Sequence, residues 1–147
     1  MVETSLSANG KAGKVVLVVE DSPVQAFALV KLLEREGLSV LCAPNGVAGL
    51  EMARQSVPDL IVLDIHMPEM DGLEACRRLK QDAATAAIPV VLLTAYSEPI
   101  ALREGLEGGA VDFIPKDAFS DVVLLETLRQ LGILPSAAAA AFRAVEQ

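Results

Sequence analysis

The side chains with most chemistry to offer fall at the ends of apolar runs. Glu20 and Asp21 follow VVLVV, Asp64 closes LIVLD, Thr94 and the small Ala95 close PVVLLTA, and Lys116 stands two residues beyond AVDFI. His66, the only histidine, lies two positions after Asp64. An acid at the end of a buried run with a histidine beside it leaves a metal pair, an acid–base pair and an accident of the loop all open. Three carboxylates drawn together repel, so one must gain a proton or a cation must relieve them. Mg2+ suits such donors, because it takes hard oxygen ligands and accepts one or two carboxylates plus waters and a phosphate oxygen. Lys116 offers a point charge and Thr94 a hydroxyl donor to phosphoryl oxygens. An aspartate can itself attack phosphorus to form an acyl phosphate. Taken singly, Asp21 is explained by the dipole of a following helix, Thr94 by strand preference and Lys116 by solvation. Taken together, they suit phosphoryl transfer onto Asp64.

These residues meet only if the intervening chain folds to bring them together. Residues 15 to 19 are β-branched, apolar on both faces and too short for a helix, so they read as a central strand. Ser22 as N-cap and Pro23 at the first helical position open a helix whose Phe27, Val30 and Leu33 form the apolar face, ending at Gly37. Residues 38 to 43 are a second strand, Asn45 caps a helix through Ala53, and 59 to 64 form a third strand. Asp71 caps the next helix, with Glu74 placed as the acidic partner of a capping box. A strand at 89 to 95, a helix from Pro99 to Leu106, a strand at 110 to 114 and a helix from Ser120 to Leu131 complete the pattern. Alternating strands and helices imply a parallel sheet in a three-layer α/β sandwich, with right-handed crossovers. In such sheets ligands bind beyond the carboxyl ends of the strands, where the strand order reverses. One domain is expected over residues 14 to 134. Residues 1 to 13 read as a mobile polar arm. The Ala-rich stretch 135 to 147 reads as a frayed end or linker, or as a short helix with Ala138, Phe142 and Val145 on one side.

Composition narrows the function classes. Hydrophobic residues make up 52% but aromatics only 3%, so the core must be built of Val, Leu, Ile and Ala, as under a helix-covered parallel sheet. A net charge of -8 argues against a nucleic-acid surface, which needs a basic patch. Cys42 and Cys76 have no metal-ligand spacing and form no disulfide framework, which fits a reduced, cytoplasmic setting. The first residues lack the basic start and apolar centre of a signal peptide. No run reaches the roughly 18 to 20 apolar residues of a membrane span, so a soluble protein is expected.

Four motifs, VVEDSP, LIVLDIHMPEMDG, LLTAY and DFIPK, stand in order on this β/α pattern, and from about Val15 to Leu134 the sequence resembles the receiver domain of the bacterial response-regulator family. The resemblance implies a flavodoxin-like doubly wound fold with strand order 2-1-3-4-5. It implies a single-domain phosphoacceptor of two-component signalling, in which Asp64 takes a phosphoryl group from a histidine kinase or a histidine phosphotransfer protein. It implies Mg2+ held by Glu20, Asp21, Asp64 and the main-chain carbonyl of His66, with Thr94 and Lys116 contacting the phosphoryl group and Ala95 leaving room for it. Thr94 and Phe113 resemble the switch pair, although Phe113 also reads as simple core. His66 and Tyr96 fall where the family tunes hydrolysis of the acyl phosphate. The implied partners are that phosphodonor and a downstream protein, with no direct nucleic-acid contact, no membrane insertion, and a monomer or a weak dimer through the last helix and strand.

One departure stands out. Family members commonly carry a proline, in a cis peptide, directly after the lysine; here the order is Pro115, Lys116, Asp117, so the following loop is expected to differ and Asp117 to compete for the ammonium. Haloacid-dehalogenase-like phosphohydrolases also use an aspartate nucleophile with Mg2+, but need an acid where His66 stands. A flavodoxin-like electron carrier would have its flavin phosphate repelled by Glu20 and Asp21. An interaction module not regulated by phosphorylation, and a receiver that is part of a larger hybrid kinase, remain as alternatives to a stand-alone regulator; no enzymatic or DNA-binding output sequence is recognised after residue 134. Beyond self-catalysed phosphotransfer and dephosphorylation, no enzymatic activity is expected.

Overall fold

The computed structural model describes residues 13 to 95 and 99 to 136. Most of the N-terminal arm, Tyr96 and most of the Ala-rich stretch lie outside the described residues. Strands β1 (Val15–Val19), β2 (Ser39–Ala43), β3 (Leu60–Asp64), β4 (Val90–Thr94) and β5 (Asp112–Pro115) alternate with helices α1 (Pro23–Arg35), α2 (Gly46–Ser56), α3 (Gly72–Gln81), α4 (Pro99–Glu107) and α5 (Ser120–Gln130). The strands form one parallel sheet in the order β2-β1-β3-β4-β5, the doubly wound arrangement that the family resemblance implies. Elements begin and end within two residues of the expected bounds, apart from α2, which runs three residues past Ala53.

Alternate residues of each strand feed opposite faces. Leu17, Val19, Ile61, Leu63, Val90 and Leu92 join one core cluster, together with Ala53, Ala75, Cys76 and Leu79 from α2 and α3. Val16, Val18, Leu60, Val62, Val91 and Leu93 join another, closed by Leu33 of α1 and by Leu124 and Leu128 of α5. Both faces are therefore covered, which is why the strands read as unbroken apolar runs rather than as alternation. The helix starts follow the sequence signals: Ser22 Oγ accepts the Gln25 amide at 3.3 Å, Asn45 Oδ1 that of Ala48 at 2.8 Å, and Asp71 Oδ1 that of Glu74 at 2.9 Å.

Two local expectations are corrected. Phe27 is 64% exposed, while Ala26 and Leu33 are buried and Leu29 packs against the core cluster that holds Leu33, so the inward stripe of α1 runs beside Phe27 rather than through it. The Phe27 ring instead lies under the Lys31 ammonium at 5.4 Å. Glu74 does not reach back to complete a capping box; its carboxylate bonds Arg77 and Arg78, one turn ahead on the same helix. Charge-assisted pairs at those spacings outcompete a neutral amide.

Candidate functional site

The order of the sheet reverses between β1 and β3, and their paired ends, Val19 beside Leu63, bring Glu20 and Asp64 to one edge. The Glu20 amide extends the ladder to the Ala43 carbonyl at 3.1 Å, which fixes the backbone of Glu20 rather than leaving it to a loop. Glu20 and Asp64 are 3% and 4% exposed, whereas Asp21 is exposed. Carboxylate oxygens of all three lie within 4.8 Å of one another. The sequence expectation that these acids converge is thus met by the geometry.

Behind Asp64 the chain doubles back. The Ile65 amide bonds the Leu93 carbonyl and the Gly72 amide bonds the Ile65 carbonyl, both at 2.9 Å, which seats the start of α3 on the strand end. A Cβ at Gly72 would stand 2.3 Å from the Asp64 carbonyl oxygen, so only glycine lets the helix approach this closely.

Lys116 enters from the other side, its amide bonded to the Thr94 carbonyl at 2.6 Å. Its Nζ lies 2.9 Å from Glu20 Oε1, 2.9 Å from Asp64 Oδ1 and 2.5 Å from Gln25 Oε1. The contacts to Glu20 and Gln25 are directed hydrogen bonds. The contact to Asp64 has the distance of one without its alignment, so buried Oδ1 is left with no hydrogen-bond partner. Burial pushes the Glu20 carboxyl up; Lys116 and the Ser22 amide, 3.1 Å from Oε2, oppose this, Asp64 reinforces it, and the net shift is upward. Burial alone would push the Lys116 ammonium down, but Asp64 and Glu20 outweigh it and the pKa ends above the ordinary lysine value.

Thr94 is fully buried, and its hydroxyl lies 3.2 Å from His66 Nε2. The lone histidine thus touches the expected switch hydroxyl across the cleft. Phe113 is half-buried and packs on the α2–α3 side of the core, with Gly105 of α4 beside its ring. Ala95 is exposed and lines, with Gln25, Leu93, Lys116 and Asp117, a cavity of about 430 Å3 between α1 and the start of α5. Asp117 does not take the ammonium: its Oδ1 accepts the Phe119 amide at 2.8 Å, shaping the turn into α5. The described residues contain no cis peptide bond.

Gln25 is the site residue that sequence reasoning missed. Its signal was available: it sits one turn into a helix that begins directly after the acid pair, so its side chain can overhang the cleft. The acidic cluster fits a divalent cation, since a buried carboxylate oxygen without a hydrogen bond is the kind of ligand that Mg2+ recruits.

Residues 16–129 match the family model described as the response regulator receiver domain. This chain belongs to the response regulator receiver domain family. The receiver domain is 38% identical over 109 residues to protein PilH of Pseudomonas aeruginosa, a match covering 74% of this chain and 90% of PilH. It is 42% identical over 116 residues to the response regulator PleD of Caulobacter vibrioides, covering 79% of this chain but 25% of PleD, and 44% identical over 107 residues to histidine kinase P4 of Formosa agariphila, covering 72% of this chain and 8% of the kinase. The chain therefore spans nearly all of one relative and a small part of the others. Among solved structures, the Vibrio cholerae chemotaxis protein CheY4 superposes with a TM-score of 0.75 at 28% identity, covering 81% of this chain and 98% of CheY4. The receiver domain of a sensor histidine kinase from Pseudomonas aeruginosa, solved with magnesium coordinated in its active-site cleft, superposes with a TM-score of 0.74 at 26% identity, covering 82% and 98%. Among the described residues no helix is long and apolar enough to cross a membrane.

Proposed function

We propose that this receiver domain accepts a phosphoryl group on Asp64 from the phosphohistidine of a histidine kinase or phosphotransfer protein, and passes the signal on by protein contact in the cytoplasm. The observation that carries the reading is the buried Oδ1 of Asp64, which lies at the convergence of an ammonium and two other carboxylates yet has no hydrogen bond of its own. In the transfer an Asp64 oxygen forms a bond to phosphorus as the phosphorus–nitrogen bond breaks, and the donor imidazole keeps the electron pair. Glu20, Asp21, Asp64 and the main-chain carbonyl of His66 would hold Mg2+, which supplies charge neutralisation for the phosphoryl oxygens. Lys116 and Thr94 present donors to those oxygens, and Ala95 leaves space for them. After transfer the added charge favours a Thr94 hydroxyl turned toward it, away from His66, and Phe113 moves with the space that this opens.

Incubation with Mg2+ and a small acyl or amido phosphate, followed by intact mass measurement, tests the reading. One phosphoryl group is expected on the wild type, none when a chelator removes Mg2+, and none on Asp64→Ala. A wild type that gains no mass, or a mass gain that survives Asp64→Ala, overturns it and leaves an interaction module not regulated by phosphorylation.

A further inference from the structure

We propose that His66 is a positioning residue whose ring latches the switch: it holds the Thr94 hydroxyl in the unphosphorylated domain, and so sets how strongly a phosphoryl group on Asp64 must pull before that hydroxyl turns. The role rests on Asp64 being the acceptor and on Thr94 serving the transferred group.

Thr94 is fully buried, and a buried hydroxyl needs a hydrogen-bond partner. His66 Nε2 lies 3.2 Å from Oγ1 and meets that need. A hydroxyl can donate to a bare ring nitrogen or accept from a protonated one, so the contact survives either tautomer. Asp64 Oδ1 receives no hydrogen bond from the same hydroxyl. Before transfer the ring, and not that acceptor oxygen, holds it.

The backbone on both sides is tied down, which leaves rotation of the Thr94 side chain as the available motion. Thr94 stands at the end of β4, in register with Pro115, and its carbonyl accepts the Lys116 amide at 2.6 Å. His66 sits between buried Ile65 and Met67, and the Ile65 amide bonds the carbonyl of Leu93, the residue before Thr94, at 2.9 Å. A β-branched side chain takes discrete staggered positions. Oγ1 is therefore either against the ring or turned from it, which makes Thr94 a two-state element. A phosphoryl oxygen offers the stronger, charge-assisted bond and draws the hydroxyl over, but by a smaller margin than it would against no competitor. His66 itself is exposed, so its ring can be replaced while the core and its main-chain carbonyl stay in place.

Wild type, His66→Phe and His66→Gln are compared for binding of beryllium fluoride, a phosphoryl analogue, at saturating Mg2+, with the bound fraction read from the fluorine resonance. Phenylalanine keeps a ring and removes its nitrogens; glutamine restores a polar group at the reach of Nε2. Binding roughly fivefold tighter than wild type is expected in His66→Phe, from loss of one competing hydrogen bond, with a return to within about twofold in His66→Gln. Added to Thr94→Val, His66→Phe should change affinity by less than about twofold, because the latch has no hydroxyl to hold. A ring that only shielded the acyl phosphate from water would alter its lifetime and leave these affinities equal. If wild type binds no analogue and gains no phosphoryl mass, the acceptor reading fails and the latch with it. If wild type binds it and His66→Phe binds equally or more weakly, if His66→Gln is as tight as His66→Phe, or if the tightening persists beside Thr94→Val, the latch is overturned while the acceptor reading stands.

Discussion

Lys116 and Lys80 are both half-buried lysines, set at opposite ends of β4, and the protein uses them in opposite ways. Lys116 meets carboxylates beside Thr94, at the carboxyl end of the strand. Lys80, in the last turn of α3, donates to the backbone carbonyls of Ala86 at 3.1 Å and Ile88 at 2.5 Å, just before the strand begins. Burial pushes the Lys80 ammonium down, only partly offset by Cys76, while the two acids hold Lys116 up. A buried ammonium with neutral partners is a clamp that ties a helix end to a turn. One with anionic partners is a counter-charge. The difference lies in the partners and not in the residue type.

The largest expected break in this comparison is in chemistry. Lys116→Met should slow phosphorylation by roughly a hundredfold, as for removal of one preorganised donor from a reacting anion, while Lys80→Met should stay within about twofold of wild type. Rates of phosphoryl incorporation measured by intact mass decide it.

Stability sharpens the comparison next, through the glycine at each end. Gly72→Ala forces a Cβ to 2.3 Å from the Asp64 carbonyl oxygen and should cost about 3 kcal/mol, because backbone must move. At Gly109, whose φ is +105°, a Cβ would stand 2.7 Å from Lys80 Cγ, the stem of a flexible side chain, and Gly109→Ala should cost about 2 kcal/mol, mostly from the backbone conformation. Urea unfolding compares the two directly.

Lys116→Met should cost about 2 kcal/mol in magnesium-free buffer at neutral pH, since it leaves Glu20 and Asp64 buried without a counter-charge, and Mg2+ should restore most of the loss. Lys80→Met should cost about 1 kcal/mol, unaffected by Mg2+. Equal magnesium responses in both variants would erase the distinction.

The smallest effect is in alkaline pH dependence, where the signs oppose. Lys116 has a folded pKa above 10.5, so its stabilising contribution is complete below 10.5 and is lost as pH rises through the folded value. Lys80 has a folded pKa below 10.5, so stability rises with pH between the folded value and 10.5, as the penalty for burying its charge disappears. Unfolding of the two methionine variants against wild type should show the Lys116 difference flat below pH 10.5 and shrinking above it, and the Lys80 contribution rising with pH below 10.5 and flat above it.

Much of the site was legible because it is local. Glu20, Asp64 and Thr94 stand where an apolar run stops, with Lys116 just beyond another, and Ser22, Asn45 and Asp71 cap helices from positions that the sequence marks. The burial pattern of a parallel sheet, apolar on both faces, fixed the strands and hence the edge at which Glu20, Asp64, Thr94 and Lys116 meet. Phe27 and Glu74 were misread for a shared reason: hydrophobicity and charge name the candidates for a contact, but a helix that turns by a fraction of a residue, or a nearer arginine, chooses among them.

The sequence by itself determined the order of elements, their parallel sheet and the acids at its edge, since hydrophobic periodicity and caps act over a few residues. Only the tertiary structure decided which oxygens hold the Lys116 ammonium. Glu20 and Gln25 stand 96 and 91 positions away in the chain, and whether a proton points at one oxygen or its neighbour depends on alignments that no local pattern encodes. That arrangement, which sets a buried Asp64 oxygen 2.9 Å from the ammonium, is where the fold becomes chemistry.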